Sequence, residues 1–444
     1  MSGRLFGKKL SSFQIIITGF LTVILIGTFL LCLPIAGKTG RWTPLEDALF
    51  TATSAVCVTG LVVRDTATAW SGFGQTVILL LIQIGGLGIV SVTAFIATLS
   101  GKRISLLQRS MLQESISAHQ VGGIIRMTGF LFRVAFIAEA LGAVAMLPVF
   151  CTRFGARGIW MAVFHSVSAF CNAGFDVMGT STGEFSSFTG VGSSLGIVIP
   201  ACLLIVVGGI GFLTWDDIAE HGFHLRKYRM QSKAILAVTA VLIAVPAVLF
   251  FFIDFSGYGL KERICLSLFH AVTPRTAGFN TADLGSMSSA GRALTTALML
   301  IGGSPGSTAG GMKTTTVAVL LATAAAVFRR RKNPQMFGRR IEEQAVRSAS
   351  TLLLMYLFLT VTAAFVISTI EGLPFGVCAF EAASAIGTVG LSLGITPSVG
   401  LVSHLILMLL MFLGRVGGLT VMFAAVRSNG SEVAQRPVEK INVG

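Results

Sequence analysis

The sequence predicts an all-alpha membrane protein. Four tandem units of helix, re-entrant pore loop and helix are expected around a single pore with pseudo-fourfold symmetry, making eight transmembrane spans. Three observations carry this expectation. Of the 444 residues, 53% are hydrophobic and 12% charged, with a mean hydropathy of +0.83. Soluble domains carry about 25% charged residues. Long apolar runs recur at roughly 13–35, 74–98, 127–150, 193–216, 233–255, 290–328, 345–369 and 398–426. Each is near or above the ~20 residues that a spanning helix needs. Between the paired runs a shorter segment returns four times: F-T-A-T-S-A-V-C-V-T-G-L at 50–61, F-H-S-V-S-A-F-C-N-A-G-F at 164–175, F-H-A-V-T-P-R-T-A-G-F at 269–279 and F-E-A-A-S-A-I-G-T-V-G-L at 380–391. Its closing glycines, Gly60, Gly174, Gly278 and Gly390, are 114, 104 and 112 residues apart. Such periodicity is read before any single helix. The third copy is one residue shorter between its Phe and its Gly.

In chain order, residues 1–12 form an N-terminal segment. The units follow at 13–98, 127–218, 233–328 and 345–426, and 427–444 is a tail. Phe13–Leu33 reads as a first span and not a cleaved leader: it is long, lacks a small-residue cleavage pattern, and further spans follow. Orientation comes from basic residues. Arg4, Lys8 and Lys9 precede the first span; Lys102, Arg103, Arg109 and Arg126 follow unit one; Arg226, Lys227, Arg229 and Lys233 follow unit two. Seven more run from Arg329 to Arg347, and three lie in the tail, so 21 of the 33 Lys and Arg share the side of the termini. Both termini are therefore expected in the cytoplasm, with the glycine turns entering from outside. Topology accounts for the basic excess, and no nucleic-acid module accompanies it.

The repeated segments are too short to span. Non-helical backbone at membrane depth must be enclosed by protein or line a water-filled cavity. In the first copy Thr43 and Pro44 suit a cap and first helical residue, and a half-helix over 43–56 would run inward. The turns that follow are Val58–Thr59–Gly60, Asn172–Ala173–Gly174, Thr276–Ala277–Gly278 and Thr388–Val389–Gly390. Only glycine is common to all. A ring of main-chain carbonyls tolerates that variation, because the backbone supplies the ligands. Half-helix C-termini aimed inward add partial negative charge. The expected ligand is a dehydrated potassium ion on the carbonyls of Val58, Thr59, Asn172, Ala173, Thr276, Ala277, Thr388 and Val389. Glycines also serve plain helix packing in membranes, but four in register behind similar half-helices point to a filter. Arg275, beside the third turn, is expected to point behind it, with Glu381 as a candidate partner.

The second long helix of each unit carries a glycine cluster: Gly85–Gly86–Leu87–Gly88, Gly208–Gly209–Ile210–Gly211, Gly302–Gly303–Ser304–Pro305–Gly306 and Gly414–Arg415–Val416–Gly417. Glycine there permits close packing or a bend. In unit three, Gly302, Gly303, Ser304, Pro305, Gly306, Ser307, Thr308, Ala309, Gly310, Gly311, Met312 and Lys313 cannot continue a straight helix. This stretch is expected to be a flexible gate lining the cavity below the filter. Met312 between Gly311 and Lys313, with no preceding strand, excludes a phosphate loop. Arg415 inside an apolar helix is costly and is expected to face the cavity, pair with loop carbonyls and slow conduction. Lys313 is expected to act similarly.

Catalysis is not expected. Asp216, Asp217 and Glu139 lack converging partners, the histidines form no H-E-x-x-H, and the seven cysteines, Cys57 and Cys171 in the repeated segments among them, have no paired spacing. A symporter with broken helices would need repeats of opposite topology; these are parallel. No arginine-spaced voltage sensor is present.

The four turns, G-G-S-P-G-S-T-A-G-G-M-K and G-R-V-G at 414–417 resemble the superfamily of potassium transporters that includes Trk, Ktr and plant HKT proteins. The resemblance covers nearly the whole chain. Without an added pair of N-terminal spans it looks like the bacterial Ktr-type membrane subunit, with Trk the near alternative and a Na+- or H+-coupled symporter on the same scaffold another. The resemblance implies potassium uptake across the inner membrane by a homodimer on a cytoplasmic regulatory ring of the KtrA or TrkA type. That ring would bind ATP or ADP; the chain itself would hold no organic cofactor, and sodium would stimulate uptake. It also implies that Gly60, Gly174, Gly278 and Gly390 are filter glycines, that 302–316 is the intramembrane loop and that Arg415 is the cavity arginine. A glycine at Gly60, where sodium-permeable plant relatives carry serine, favours potassium. The turns depart from the T-V-G-Y-G of potassium channels, which implies weaker selectivity. The tail could reach a dimer partner.

Overall fold

The computed structural model describes residues 4–5, 8–9, 12–100, 106–116, 124–418 and 439. A short antiparallel hairpin, β1 (Arg4–Leu5) with β2 (Lys8–Lys9), precedes unit one. Unit one comprises α1 (Ser12–Cys32), the half-helix α2 (Leu45–Val56), the one-turn α3 (Thr66–Ala69), α4 (Gly72–Leu87) and α5 (Ile89–Leu99). A connecting helix α6 (Leu106–Ile116) leads to unit two, with α7 (Ile124–Phe154), half-helix α8 (Arg157–Phe170), the one-turn α9 (Gly179–Thr182), α10 (Leu195–Gly209) and α11 (Phe212–His221). Unit three has α12 (Met230–Ile253), half-helix α13 (Leu260–Val272), α14 (Ser289–Met299) and α15 (Thr314–Phe328). The hairpin of β3 (Gln335–Met336) and β4 (Arg339–Arg340) then leads to α16 (Glu343–Glu371), half-helix α17 (Phe375–Gly387) and α18 (Leu401–Val416) of unit four.

Among the described residues four helices, α1, α7, α12 and α16, are individually long and apolar enough to cross a bilayer, or up to six spans if each bent pair counts as one. Each is the first helix of its unit. Leu25, Phe29, Leu141, Phe252 and Phe358 stand exposed on them, as expected of faces solvated by lipid rather than water. The half-helices are buried behind these exposed faces. Residues 50–56, 168–170 and 380–387 are all buried. In the first half-helix Pro44 is the cap, one residue beyond the Thr43 expected, and no side chain caps the helix.

The glycine clusters in the apolar runs 74–98 and 193–216, expected to permit close packing or a bend, are bends. Helix α4 meets α5 at 94°, and α10 meets α11 at 98°. The bends fall at Gly88 (φ 85°) and Gly211 (φ 89°). Positive φ ends the α-helical hydrogen-bond ladder, and glycine adopts it without a Cβ penalty. In unit four α18 stops at Gly417 (φ 94°). The glycine cluster is thus a break in every unit, and unit three is only the most extended case. The first glycine of the cluster has a separate packing role. A Cβ at Gly85, Gly208 or Gly414 would land on the carbonyl of Val56, Phe170 or Ile386, the last turn of the half-helix in the same unit. The inner helix therefore seats directly against the end of its half-helix. The tail 427–444 (except residue 439), the end of unit four beyond 418 and most of 1–12 lie outside the described residues.

Candidate functional site

The half-helices end where the side-chain pattern changes. In each unit the first residue of the turn is left-handed: Val58 (φ 50°), Asn172 (φ 56°), Thr276 (φ 66°) and Thr388 (φ 51°). The third is a glycine with positive φ: Gly60 (89°), Gly174 (69°), Gly278 (80°) and Gly390 (92°). One backbone conformation is therefore repeated four times in four different sequences. The shorter third copy is explained by its hydrogen bonding. In units one, two and four the middle residue donates its N–H five residues back: Thr59 to Ser54 O, Ala173 to Ser168 O and Val389 to Ser384 O, each at 2.8 Å. In unit three Ala277 donates four back, to Thr273 O at 2.9 Å.

The turns close into a ring in chain order. A Cβ added at Gly60 would come within 3.0 Å of Gly174 Cα, one at Gly174 within 2.9 Å of Gly278 Cα, one at Gly278 within 3.3 Å of Gly390 Cα, and one at Gly390 within 2.9 Å of Gly60 Cα. Each would also meet the carbonyl oxygen of the next unit's middle residue: Ala173, Ala277, Val389 and Thr59 in turn. Eleven of the twelve turn positions are buried, and Gly390 is partly so.

The polarity of this ring is one-sided. The N–H groups of Val58, Thr59, Asn172, Ala173, Ala277, Thr388 and Val389 bond back to their own half-helices. Those of Gly60 and Gly390 donate to Ser54 Oγ and Ser384 Oγ, both at 3.0 Å. No carbonyl of the four turns accepts a hydrogen bond from a described residue. Buried carbonyls without donors are expensive, by about 1–3 kcal/mol each. The Asn172 amide points sideways: oriented to satisfy both its ends, it donates to Ala169 O and Ile205 O and accepts from Thr276 Oγ1 at 3.2 Å.

Four hydroxyls at one repeat position were missed in the sequence reading. Ser54, Ser168, Thr273 and Ser384 stand six residues before the glycine, or five in the short copy. Ser54 and Ser384 hold the glycine N–H, while Ser168 and Thr273 donate to Phe175 O (2.8 Å) and Phe279 O (2.5 Å) just beyond it. Alignment of the four copies on glycine would have displayed them. Each bond is worth about 0.5–1.5 kcal/mol. Ser384→Ala is therefore expected to lower cation discrimination a few-fold at unchanged membrane abundance, read from competitive uptake of two alkali cations.

Arg275 and Glu381 do not pair. Arg275 is buried behind the third turn, where Nη2 donates to Thr239 Oγ1 of α12 at 3.2 Å. Glu381 instead accepts from Ser392 Oγ (2.5 Å), Leu393 N (3.1 Å) and Thr396 Oγ1 (3.1 Å). Its carboxylate is used by the chain returning from the fourth turn, so it is not available to an arginine of unit three.

Below the ring, residues 302–313 cross between the inner helices. The stretch expected to be a flexible gate is hydrogen-bonded to both neighbouring units and to itself. Ser304 N donates to Gly209 O (2.9 Å), Thr308 N to Gly208 O (3.2 Å), Gly311 N to Gly414 O (3.2 Å), and Phe212 N to Gly306 O (2.7 Å). Gly302 N donates to Met312 O at 2.8 Å, and Thr314 N to Gly303 O at 3.0 Å, so the loop folds on itself. Lys313 Nζ donates to Ala309 O at 2.8 Å. Gly303, Pro305 and Ser307 complete this crossing; Gly310 packs against Thr388 of the fourth turn, where a Cβ would not fit. The loop therefore lies directly beneath the ring.

Arg415 closes the arrangement. Its guanidinium donates to Thr308 O of the loop and to Gly85 O and Gly86 O of unit one, the last at 2.9 Å. The acceptors on unit one lie in the last turn of α4, just before the Gly88 bend. Arg415, Lys313, Ser307, Gly86 and Ser91 line a cavity of about 230 Å3. The site thus contains a buried carbonyl ring, a loop under it and a cationic strap. Among the described residues no cluster of His, Cys, Asp and Glu could hold a metal ion; Asp216 and Asp217 both meet Arg229, at 3.0 and 3.3 Å, and Glu139 accepts from Gln83 Nε2 at 2.9 Å.

Comparison with known proteins agrees with this architecture. The TrkH cation transport protein family matches residues 8–434. The potassium/sodium uptake protein NtpJ of Enterococcus hirae is 41% identical over 98% of both chains. The Ktr system potassium uptake protein B of Bacillus subtilis is 36% identical, over 95% of this chain and 94% of its own. The crystal structure of the potassium transporter TrkH from Vibrio parahaemolyticus superposes with a TM-score of 0.71 at 20% identity, covering 95% of this chain and 87% of that one. The chain is a bacterial multi-pass inner-membrane protein and belongs to the TrkH cation transport protein family, whose members are transporters and not enzymes.

Proposed function

We propose that this chain takes up potassium across the inner membrane through the carbonyl ring of its four turns. The observation that carries the reading is the set of buried turn carbonyls that no donor satisfies. A dehydrated monovalent cation on the axis would satisfy them, as carbonyl rings do in selective pores. Val58, Thr59, Asn172, Ala173, Thr276, Ala277, Thr388 and Val389 supply the oxygens. Gly60, Gly174, Gly278 and Gly390 let the four backbones approach. The four units then act as one pseudo-fourfold pore of eight spans, the bent and broken inner helices counting as crossings.

Residues 302–313 with Arg415 form the gate. The relatives named for potassium uptake, and for potassium and sodium uptake, support potassium as substrate and sodium as modulator or second substrate. Membership of a Ktr-like system supports a cytoplasmic regulatory ring of the KtrA or TrkA type, with ATP or ADP on that ring, and a homodimeric membrane part. The test is flux into liposomes containing purified protein. Rubidium or potassium uptake should exceed sodium uptake, and the added ring should change its rate with nucleotide. Equal rates for both ions, or no cation flux, would overturn the substrate assignment.

A further inference from the structure

The hairpin between α15 and α16 has a construction that its connecting role does not require. β3 and β4 are joined by two residues, Phe337 (φ 48°) and Gly338 (φ 76°). Both lie in the left-handed region, as a type I′ hairpin turn demands. Glycine suits this, whereas a bulky aromatic residue there is a genuine outlier. Phe337 is nonetheless 55% exposed. Its strain is therefore not offset by burial in the core.

Phe337, Gln335 and Met336 form one end of a groove of about 350 Å3. The walls are Ala234, Ala237 and Val238 of α12 and Ala318, Leu321 and Ala322 of α15. Small residues on both helices leave the cleft open between them. Leu321 of the wall is 63% exposed, and Val241, three residues beyond Val238 on α12, is 58% exposed, so the groove opens onto the lipid-facing surface. At its cytoplasmic end the chemistry inverts. Arg340 and Arg339 pair directly across the hairpin from Gln335 and Met336. Arg329, Arg330, Arg331 and Lys332 follow the exposed Phe328 at the end of α15. All six are exposed, and none makes an ion pair among the described residues.

We propose that this groove binds an anionic glycerophospholipid of the cytoplasmic leaflet. One acyl chain lies between α12 and α15 under Phe337, and the headgroup phosphate meets Arg339, Arg340 and the basic end of α15. An apolar slot alone would accept any lipid. Six unpaired cations at its mouth select negative charge, each basic residue near an anionic surface being worth roughly fivefold. Because α15 begins at Thr314, directly after the loop under the ring, an occupied groove would brace the loop's cytoplasmic support.

The test uses the full-length protein in bilayers of equal phosphatidylglycerol and phosphatidylcholine, with lipid retained on release read by native mass spectrometry. Wild type should keep phosphatidylglycerol at least about tenfold over phosphatidylcholine. Arg339→Gln with Arg340→Gln should bring that ratio close to one. Ala237→Trp, at an exposed wall position, should remove the bound lipid whatever its headgroup. Equal retention of both lipids by wild type would overturn the proposal. So would a preference unaffected by the paired arginine variant, or an Ala237→Trp protein that keeps its lipid.

Discussion

Gly390→Ala is expected to reduce potassium uptake by more than about tenfold while the protein still reaches the membrane. Two costs act together. A left-handed alanine costs about 1–2 kcal/mol by itself. The new Cβ would also strike the Thr59 carbonyl and sit 2.9 Å from Gly60 Cα, with backbone and no flexible side chain on the far side. The ring must widen or tilt at that point, and a carbonyl ring loses its ligand geometry with it. Gly40→Ala separates these effects. Gly40 also has positive φ, 66°, but a Cβ there meets nothing within 4 Å. It should retain near wild-type uptake with a small loss of stability. Equal damage from both variants would mean that backbone strain alone, without ring closure, explains the result. The measurement is rubidium uptake normalised to membrane abundance.

The second large effect concerns Arg415. Removing it by Arg415→Ala should raise flux about tenfold or more in the absence of regulatory partners. The guanidinium ties the loop carbonyl of Thr308 to Gly85 and Gly86 of unit one. Hydrogen bonds from a charged donor are each worth about 1.5–3 kcal/mol, so losing the strap shifts the loop toward an open arrangement. On the path proposed for the ion, it would also remove a positive charge. Arg415→Lys should be intermediate, because a single ammonium cannot reproduce the fork that reaches two units at once. Unchanged flux in Arg415→Ala, with normal abundance, would deny the strap its gating role.

Much of this was legible in the sequence because the fold repeats its own plan. Gly60, Gly174, Gly278 and Gly390 mark the ring since only glycine allows four backbones to approach at positive φ. The extended break at 302–313 was visible because proline and glycine cannot continue a helix. The bends at Gly88 and Gly211 were harder to see. A single glycine in an apolar run reads equally as close packing, and only the neighbouring half-helix decides between them. The anchoring of the loop was hidden for a related reason: its partners are the backbone carbonyls of Gly208, Gly209 and Gly414, and a sequence does not show where carbonyls point. The Arg275–Glu381 pairing failed because opposite charge was weighed without competing donors. Ser392, Leu393 and Thr396 are local to Glu381 and reach it first. The bracing hydroxyls Ser54, Ser168, Thr273 and Ser384 look ordinary singly, and acquire meaning only as a fourfold set.

The most direct test is to locate the ion. Crystals or lipid-embedded particles of the active protein, equilibrated with rubidium, should show cation density on the axis. It should be encircled by the carbonyl oxygens of Thr59, Ala173, Ala277 and Val389, one from each unit. Density found elsewhere in the protein, with those four oxygens turned away from one another in a transport-competent sample, would contradict the account.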